Sequence, residues 1–329
     1  MRRILLVLGV LLLAWASAQT RVVLGVGGKT AVIYLPLTVV ERLGYFRDEG
    51  LDVVIQDLQA GSRALQALIG GSVEVVVGGY DHTIQMQAQG RDIVAFVLLN
   101  RYPGLVLAVR KDLEGEIRSI SDLKGRRVGV TAPGSSTHFF VNYLLTRNGL
   151  KPTDVSIIST SVGAQAVAAV QNRQVEVISN VEPAISLLEE RGLIRVLADT
   201  RTAQGTRAVL GGEYPFASLY TTRAWLQRNP DTAQRLTNAM VRGLRWMQGK
   251  TAAEIAQILP EEFFLGDRNF YIRMLQRNLE MFSPTGRFSE TALLRPLVVL
   301  SSFDDKVARA RIDLKRTFTN EFVDRVRIR

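Results

Sequence analysis

Short apolar runs rich in valine and isoleucine recur along the chain, and each is followed by a glycine-containing turn and by residues with helical spacing. This order is typical of parallel strands joined by helical crossovers. The unit occurs twice, first from Arg21 to Val77 and again from Arg126 to Ile178. Two matching units predict two α/β lobes with a cleft between them.

The carboxyl ends of the predicted strands indicate where a ligand would lie, because open α/β sheets bind ligands at that edge. In the first copy these ends are residues 27–30, 60–62 and 78–82, and in the second they are 131–137, 161–163 and 180–183. We expect all of these turns to face the cleft.

Two segments outside the copies predict the connections between the lobes. An apolar run at 104–110 lies between the copies, and a strand-like segment at 214–222 follows the second. After residue 222 the apolar residues have helical spacing. We therefore expect an α/β fold in which two hinge strands join the lobes and the C-terminal helices pack on lobe one. Lobe one is then discontinuous, at 19–108 and 222–329, and lobe two occupies 109–221.

The N-terminus predicts export. Arg2 and Arg3 precede an apolar run and the small residues Ala16-Ser17-Ala18, a pattern typical of a secretory signal. The apolar run is shorter than the roughly 20 residues of a membrane-spanning helix, although an uncleaved anchor is the alternative. We expect residues 1–18 to be a signal peptide and the mature chain to be periplasmic or otherwise extracytoplasmic.

The composition excludes several kinds of chemistry. The chain has no cysteine, which rules out disulfides, thiolate nucleophiles and a lipid anchor on an N-terminal cysteine. Its formal net charge of +10 is compatible with an anionic ligand, an acidic membrane surface or a basic surface without a specific partner. The basic residues form no cluster interleaved with aromatic residues, and this disfavours nucleic acid as a partner.

The segment 131–138 is the strongest local indication of a ligand-binding turn. Its residues Gly134, Ser135, Ser136 and Thr137 follow a predicted strand and begin a predicted helix. Helix starts expose free N–H groups, and the hydroxyls add donors for sulfonate, phosphate or carboxylate oxygens. The alternative is that these residues only cap the helix. Similar turns in the other copy favour ligand binding.

The turns of the first copy supply further candidates. Lys29 and Thr30 stand at a helix start, where a cation opposes the helix dipole and so indicates a nearby counter-anion, unless Lys29 points to solvent. Tyr34 either lines the cleft as a flat wall or packs in the core. Gly61 and Ser62 offer backbone amides for an anion or for a cap.

The sequence contains no motif for metal binding or for catalysis. His82 and His138 are the two histidines of the chain, with no HxxxH or HxH pair, and a metal site would need Asp81 or Glu182 as oxygen ligands. No GxSxG elbow and no GxxxxGK phosphate cradle occurs. We therefore expect no metal, no cofactor and no catalytic set, and we interpret His82 as a ligand contact.

Several phrases together resemble a known family. They are Tyr34-Leu35-Pro36, the run GYFRDEGLDV at 44–53, the run DLKGRRVGV at 122–130 with the Gly134-Ser135-Ser136 turn after it, and Glu182-Pro183. This set is similar to the periplasmic solute-binding proteins of the nitrate, sulfonate and taurine class of ABC importers. The resemblance implies a type II periplasmic-binding-protein fold, capture of a small organic solute by lobe closure, and docking on a membrane permease.

The resemblance also implies a ligand shell made of Tyr34, the turns at Gly61-Ser62 and Gly134-Ser135-Ser136, and the loops at Asp81 and at Asn180 to Glu182. Members of the family often carry an aromatic residue near the position of Asn180. Asp81 and Glu182 would repel a dianion if both faced the cleft. That charge favours a ligand with an amine, an amide or an extended organic body.

A related enzyme branch, the thiamine-pyrimidine synthases, shares the fold implied by the resemblance and uses a histidine with a cysteine-rich iron-binding segment. The lack of cysteine and the export signal both disfavour that branch. We expect a monomeric, non-catalytic protein that delivers a small anionic or zwitterionic organic solute to an ABC permease. The alternatives are a secreted enzyme using His82 or His138, and a sensor subunit for a membrane receptor.

Overall fold

The computed structural model describes residues 19–327. The predicted signal peptide lies outside these residues. The strands are β1 (Thr20–Val26), β2 (Leu51–Asp57), β3 (Val75–Gly79), β4 (Ile93–Leu98), β5 (Val106–Arg110), β6 (Arg127–Val130), β7 (Ser156–Ser159), β8 (Val177–Asn180), β9 (Ile194–Asp199) and β10 (Ala217–Thr222).

The helices between the strands are α1 (Leu35–Arg42), α2 (Tyr45–Asp48), α3 (Gly61–Ile69), α4 (Asp81–Ala88), α5 (Ser136–Arg147), α6 (Gly163–Gln171), α7 (Ala184–Glu190) and α8 (Ala203–Leu210). The C-terminal helices are α9 (Arg223–Arg228), α10 (Pro230–Gln248), α11 (Ala252–Gln257), α12 (Arg268–Asn278), α13 (Leu294–Ser301), α14 (Asp305–Arg309) and α15 (Glu321–Asp324). In the part of the chain that the structure describes, no helix is long and apolar enough to cross a membrane.

The strands form two sheets, in the orders β2-β1-β3-β10-β4 and β7-β6-β8-β5-β9. The order β2-β1-β3 in one sheet corresponds to β7-β6-β8 in the other, and all of these pairs are parallel. The duplicated sequence pattern therefore folds as two equivalent α/β units. We call the first sheet with its helices lobe one and the second sheet with its helices lobe two.

The chain passes between the lobes twice, from β4 to β5 and from β9 to β10. β5 is antiparallel to β8 and β9, and β10 is antiparallel to β3 and β4, so each crossing inserts one reversed strand into a sheet. These are the segments predicted as hinge strands. The division into lobes at residues 108 and 221 stays a prediction, and both positions fall inside strands that lie whole in one sheet.

The C-terminal helices cover lobe one. α10 packs against α1 and α2, α13 and α14 pack against α4, and α15 packs against β4. The contact of α10 with α1 is close at Gly243, where a methyl group would collide with Val40. The fold class expected from the sequence, with two α/β lobes and helices packed on lobe one, is confirmed.

Candidate functional site

Four helices begin where the two lobes face each other. α3 begins at Gly61 and α4 at Asp81 in lobe one, while α5 begins at Ser136 and α6 at Gly163 in lobe two. Each helix follows the carboxyl end of a strand, as the pattern of strands and turns predicted. Their first turns bring backbone N–H groups and short polar side chains to the interlobe surface.

Ser62 and Ser135 join the lobes directly. Ser135 precedes α5, but its hydroxyl makes no capping hydrogen bond to that helix. Its Oγ instead accepts from the Ser62 N–H at 3.0 Å and donates to Ser62 Oγ at 3.0 Å. The hydroxyl of Ser135 is therefore directed across the cleft.

Asp81 and Ser136 form a second contact between the lobes. Ser136 Oγ donates to Asp81 Oδ1 at 2.8 Å, and only 1% of Asp81 is exposed. Burial raises the pKa of the Asp81 carboxyl, although the neighbouring His82 and the hydrogen bond from Ser136 oppose this shift. A buried carboxyl group thus lies beside the hydroxyl-rich turn of lobe two.

Both ring nitrogens of His82 form hydrogen bonds, one within lobe one and one to lobe two. Its Nδ1 lies 3.2 Å from the Tyr220 hydroxyl, and its Nε2 lies 3.3 Å from the Gly134 carbonyl oxygen of lobe two. A carbonyl oxygen only accepts hydrogen bonds, so the Nε2 atom carries the proton and Nδ1 accepts from Tyr220. Burial lowers the pKa of His82, against the opposing charge of Asp81, and keeps the ring neutral.

His138 lies on the same turn. Its Nδ1 accepts a hydrogen bond from the Gly134 N–H at 3.0 Å, and burial lowers the pKa of its ring. Gly134 thus connects the two histidines of the chain, one through its carbonyl oxygen and the other through its N–H group.

We expect the free energy of unfolding to fall as the pH drops below about 6.5, where the unfolded chain binds protons at its histidines and the folded chain resists doing so. His82 and His138 both contribute, because burial lowers the pKa of each. Asp81, which faces His82, acts oppositely: its raised pKa adds stability as the pH falls toward its usual value of about 3.9.

Urea denaturation at about pH 7.5 and about pH 5.5 measures this slope. The variant His138→Gln keeps an acceptor for the Gly134 N–H and should show a weaker loss of stability on acidification than the wild type. Equal slopes in the two proteins would contradict the assignment to His138.

A small cavity lies between the lobes, with a volume of about 20 Å³. Tyr34, Gly61, Ser135, Ser136 and Thr137, all candidates from the sequence, lie in its wall. Its other lining residues are Gly27, Ile33, Leu105, Thr131, Val162, Val181 and Phe216. This volume is enough for one water molecule but not for an organic solute. The lobes are therefore closed on each other, and entry of a solute requires them to separate.

Other candidates lie at the interlobe surface or turn away from the cavity. Ser62, Asp81, His82 and Gly134 form the contacts between the lobes, and Thr30 lies against Gly163 of lobe two. Lys29 Nζ pairs with Glu41 of α1 at 2.7 Å. The counter-anion indicated by the opposed helix dipole is therefore this carboxylate within lobe one.

The side chains of Asn180 and Glu182 are engaged within lobe two. Asn180 Nδ2 donates to the Ser161 carbonyl oxygen at 2.8 Å. Glu182 Oε1 accepts from Ser186 Oγ at 2.6 Å and pairs with Arg201 Nη1 at 2.7 Å. The Glu182 carboxylate is thus neutralised inside its own lobe, so the expected joint repulsion of a dianion by Asp81 and Glu182 reduces to the single charge of Asp81.

Sequence reasoning missed several residues of this region. Tyr220 lies in the hinge strand β10 and contacts His82, and Phe216, which just precedes that strand, lines the cavity. Gly27 and Val162 belong to turns that the strand ends identified, but only Lys29 and Thr30 of the first turn, and no residue of the turn at 161–163, were chosen as candidates. Arg201 follows β9, a strand that lies outside both copies of the repeated pattern.

Two α/β lobes, two crossing strands and helix starts meeting at an interlobe cleft define the type II periplasmic-binding-protein fold. The chain belongs to the NMT1/THI5 like family, whose model matches residues 33–252. The resemblance inferred from the sequence is thus confirmed at the level of family and fold.

Solved structures with this fold cover nearly the whole chain. A protein from Bordetella bronchiseptica RB50 has a TM-score of 0.90 at 43% identity, covering 94% of this chain and 97% of that chain. The alkanesulfonate-binding protein SsuA from Xanthomonas axonopodis pv. citri, solved with bound MOPS, has a TM-score of 0.69 at 20% identity. That match covers 92% of this chain and 98% of SsuA.

The chain is also similar to part of an enzyme. It is 29% identical over 147 residues to the 4-amino-5-hydroxymethyl-2-methylpyrimidine phosphate synthase of Schizosaccharomyces pombe. The match covers 44% of this chain and 40% of the synthase. The chain is therefore similar to a binding protein over nearly its whole length and to a synthase over less than half of it, and the residues of the site must decide between binding and catalysis.

Proposed function

We propose that the protein is an extracytoplasmic solute-binding protein that captures a small anionic or zwitterionic organic solute in the interlobe cleft and delivers it to an ABC importer. One observation carries the proposal. Hydroxyls and helix starts from both lobes converge on one closed interlobe cavity, through Ser62 with Ser135 and Asp81 with Ser136. A solute that separates these partners can replace their hydrogen bonds on both sides.

The charge of the cleft favours a zwitterion or a monoanion over a dianion. None of the described residues that line the cavity is a lysine or an arginine. An acidic group of the solute would bind the N–H groups and hydroxyls at the starts of α3 and α5. A donor or a cationic group would bind Asp81, whose carboxyl is buried beside them.

The hydrogen bonds of the histidines favour binding over catalysis. A general base needs an unengaged nitrogen within reach of the substrate. Both nitrogens of His82 are engaged, by Tyr220 and by Gly134, and Nδ1 of His138 accepts from a backbone N–H. These hydrogen bonds hold the turn at Gly134 in place, and among residues 19–327 neither histidine is hydrogen-bonded to a serine or threonine hydroxyl that it could activate as a nucleophile.

A thermal-shift screen of sulfonates, carboxylates, pyrimidines and amino acids tests the binding function. A ligand present at about 100 times its dissociation constant adds about 2.7 kcal/mol to the free energy of unfolding. No stabilisation by any of these classes would contradict the proposal. A permease gene beside this gene would support delivery to an importer, whereas an adjacent histidine-kinase gene would indicate a sensor.

We expect the double variant Ser135→Ala/Ser136→Ala to weaken a ligand found in the screen by about tenfold to a hundredfold, the loss typical of one hydrogen bond to a charged group. Isothermal titration measures the change. The control replaces one exposed serine in each lobe, Ser72→Ala with Ser156→Ala, and should keep the wild-type affinity. Unchanged affinity in the first variant would remove this turn from the site.

A further inference from the structure

A charged groove lies outside the cavity described above, between α7 of lobe two and α12. Its volume is about 650 Å³, which falls within the range of small-molecule sites. Glu189, Glu190, Asp199 and Arg201 line it from lobe two, and Arg273, Arg277 and Asn278 line it from α12. The groove therefore has room for an organic solute in the same closed conformation in which the cleft cavity has none.

The wall formed by lobe two carries an excess of negative charge. The Arg201 guanidinium pairs with three carboxylates, at 2.7 Å from Glu182, 2.7 Å from Glu189 and 2.6 Å from Asp199. One positive charge thus faces three negative charges, and two remain uncompensated within this cluster. A second cation placed beside Glu189 and Asp199 would be stabilised by this field.

The wall formed by α12 carries the opposite charge. Arg273 pairs with Glu190 across the groove at 3.0 Å. Arg277, one helical turn further on, is exposed and makes no ion pair with any residue in the range 19–327. The groove is therefore dipolar, with acidic groups on lobe two and an available guanidinium on α12.

One buried polar atom of α12 points to a ligand independently of the charges. Asn278 lines the groove with only 2% of its surface exposed, and its Oδ1 atom has no hydrogen-bond partner among the described residues. A buried acceptor without a donor is rare in folded proteins.

We propose that this groove is a second binding site, beyond the cleft, for a small zwitterion that carries an ammonium group and an acidic group. Glu189 and Asp199 attract the ammonium group, and Asn278 Oδ1 accepts one of its hydrogens. Arg277 binds the acidic group from the opposite wall. The ligand spans lobe two and α12, so its binding also stabilises the closed arrangement of the lobes.

Isothermal titration of the full chain with taurine and with β-alanine tests this proposal. Both probes carry an ammonium group, and they differ in the acidic group. Arg277→Gln and Glu189→Gln should each weaken binding by at least about tenfold, the value of one charge-assisted hydrogen bond. Arg277→Lys should restore part of the affinity. The matched control Arg245→Gln removes an exposed arginine of α10 and should leave the affinity unchanged.

The variant Ser135→Ala/Ser136→Ala separates this site from the cleft. Binding that survives in this variant and is lost in Arg277→Gln supports the second site. Binding lost only in the serine variant would overturn the second site and would support the cleft. No binding of either probe to the wild type at millimolar concentration would overturn the second site, while other solutes in the thermal-shift screen could still establish the cleft.

Discussion

We expect Arg201→Met to lower the free energy of unfolding by about 3–5 kcal/mol, the typical result of removing one partner from a buried ion pair. Arg201 is the cation that pairs with Glu182, of which only 1% is exposed, as well as with the half-buried Glu189 and Asp199. Without the guanidinium, Glu182 retains only its hydrogen bonds from Ser186. The lost stability is therefore the free energy of keeping an unpaired carboxylate away from water.

Urea denaturation at neutral pH measures this loss, and two further variants locate its cause. Arg309→Met removes an arginine whose pair with Asp305 is exposed on both sides, and it should change the stability by no more than about 1 kcal/mol. Glu182→Gln combined with Arg201→Met removes the buried charge and should be more stable than Arg201→Met alone. A double variant as unstable as the single one would show that the unpaired charge is not the cause.

We expect Gly79→Ala to hold the lobes apart. Gly79 ends β3, and a methyl group there would lie 2.5 Å from Asp81 Oδ1 and closer still to Ser136 Oγ of the other lobe. Real side chains essentially never make such contacts, so the hydrogen bond between Asp81 and Ser136 must break. Loss of a hydrogen bond to a buried charged group costs about 1.5–3 kcal/mol and would lower the ratio of closed to open protein by about tenfold to a hundredfold.

The lack of cysteine makes this prediction simple to measure. Spin labels at Gln66→Cys in lobe one and Gln165→Cys in lobe two, both exposed positions, report the distance between the lobes. Gly79→Ala should lengthen that distance and weaken ligand binding. Gly115→Ala, where a methyl group meets nothing within 4 Å, is the control and should match the wild type. An unchanged distance distribution in Gly79→Ala would refute the expected opening.

The repeated pattern of apolar runs and glycine turns was sufficient to predict the architecture. This pattern reflects only the local spacing of apolar residues. Because both copies have the same spacing, they form the equivalent strand orders β2-β1-β3 and β7-β6-β8. The hinge strands were predicted because 104–110 and 214–222 lie outside the two copies. The position of β10 between β3 and β4 did not follow from the sequence, because strand order depends on contacts between residues more than one hundred positions apart.

The site was harder to predict, because residue type does not determine the direction of a side chain. Lys29 and Glu182 are polar residues at strand ends, like Ser135, yet each pairs with a partner inside its own lobe. Glu41 is twelve residues from Lys29, and Arg201 is nineteen from Glu182. Predicting such an ion pair requires knowing how the helices pack against each other. The side chain of Ser135 points the other way: its hydroxyl contacts the other lobe instead of capping its own helix.

The location of β10 in the first sheet has a consequence for how the chain folds. β4 pairs with β10 and not with β3, so the first sheet stays split until Ala217–Thr222 has been synthesised. The second sheet needs only residues 106–199 and can form earlier. Domains generally fold as units in the order of synthesis, and pairing of distant segments is slow. We therefore expect the sheet of lobe two to form before the sheet of lobe one is complete.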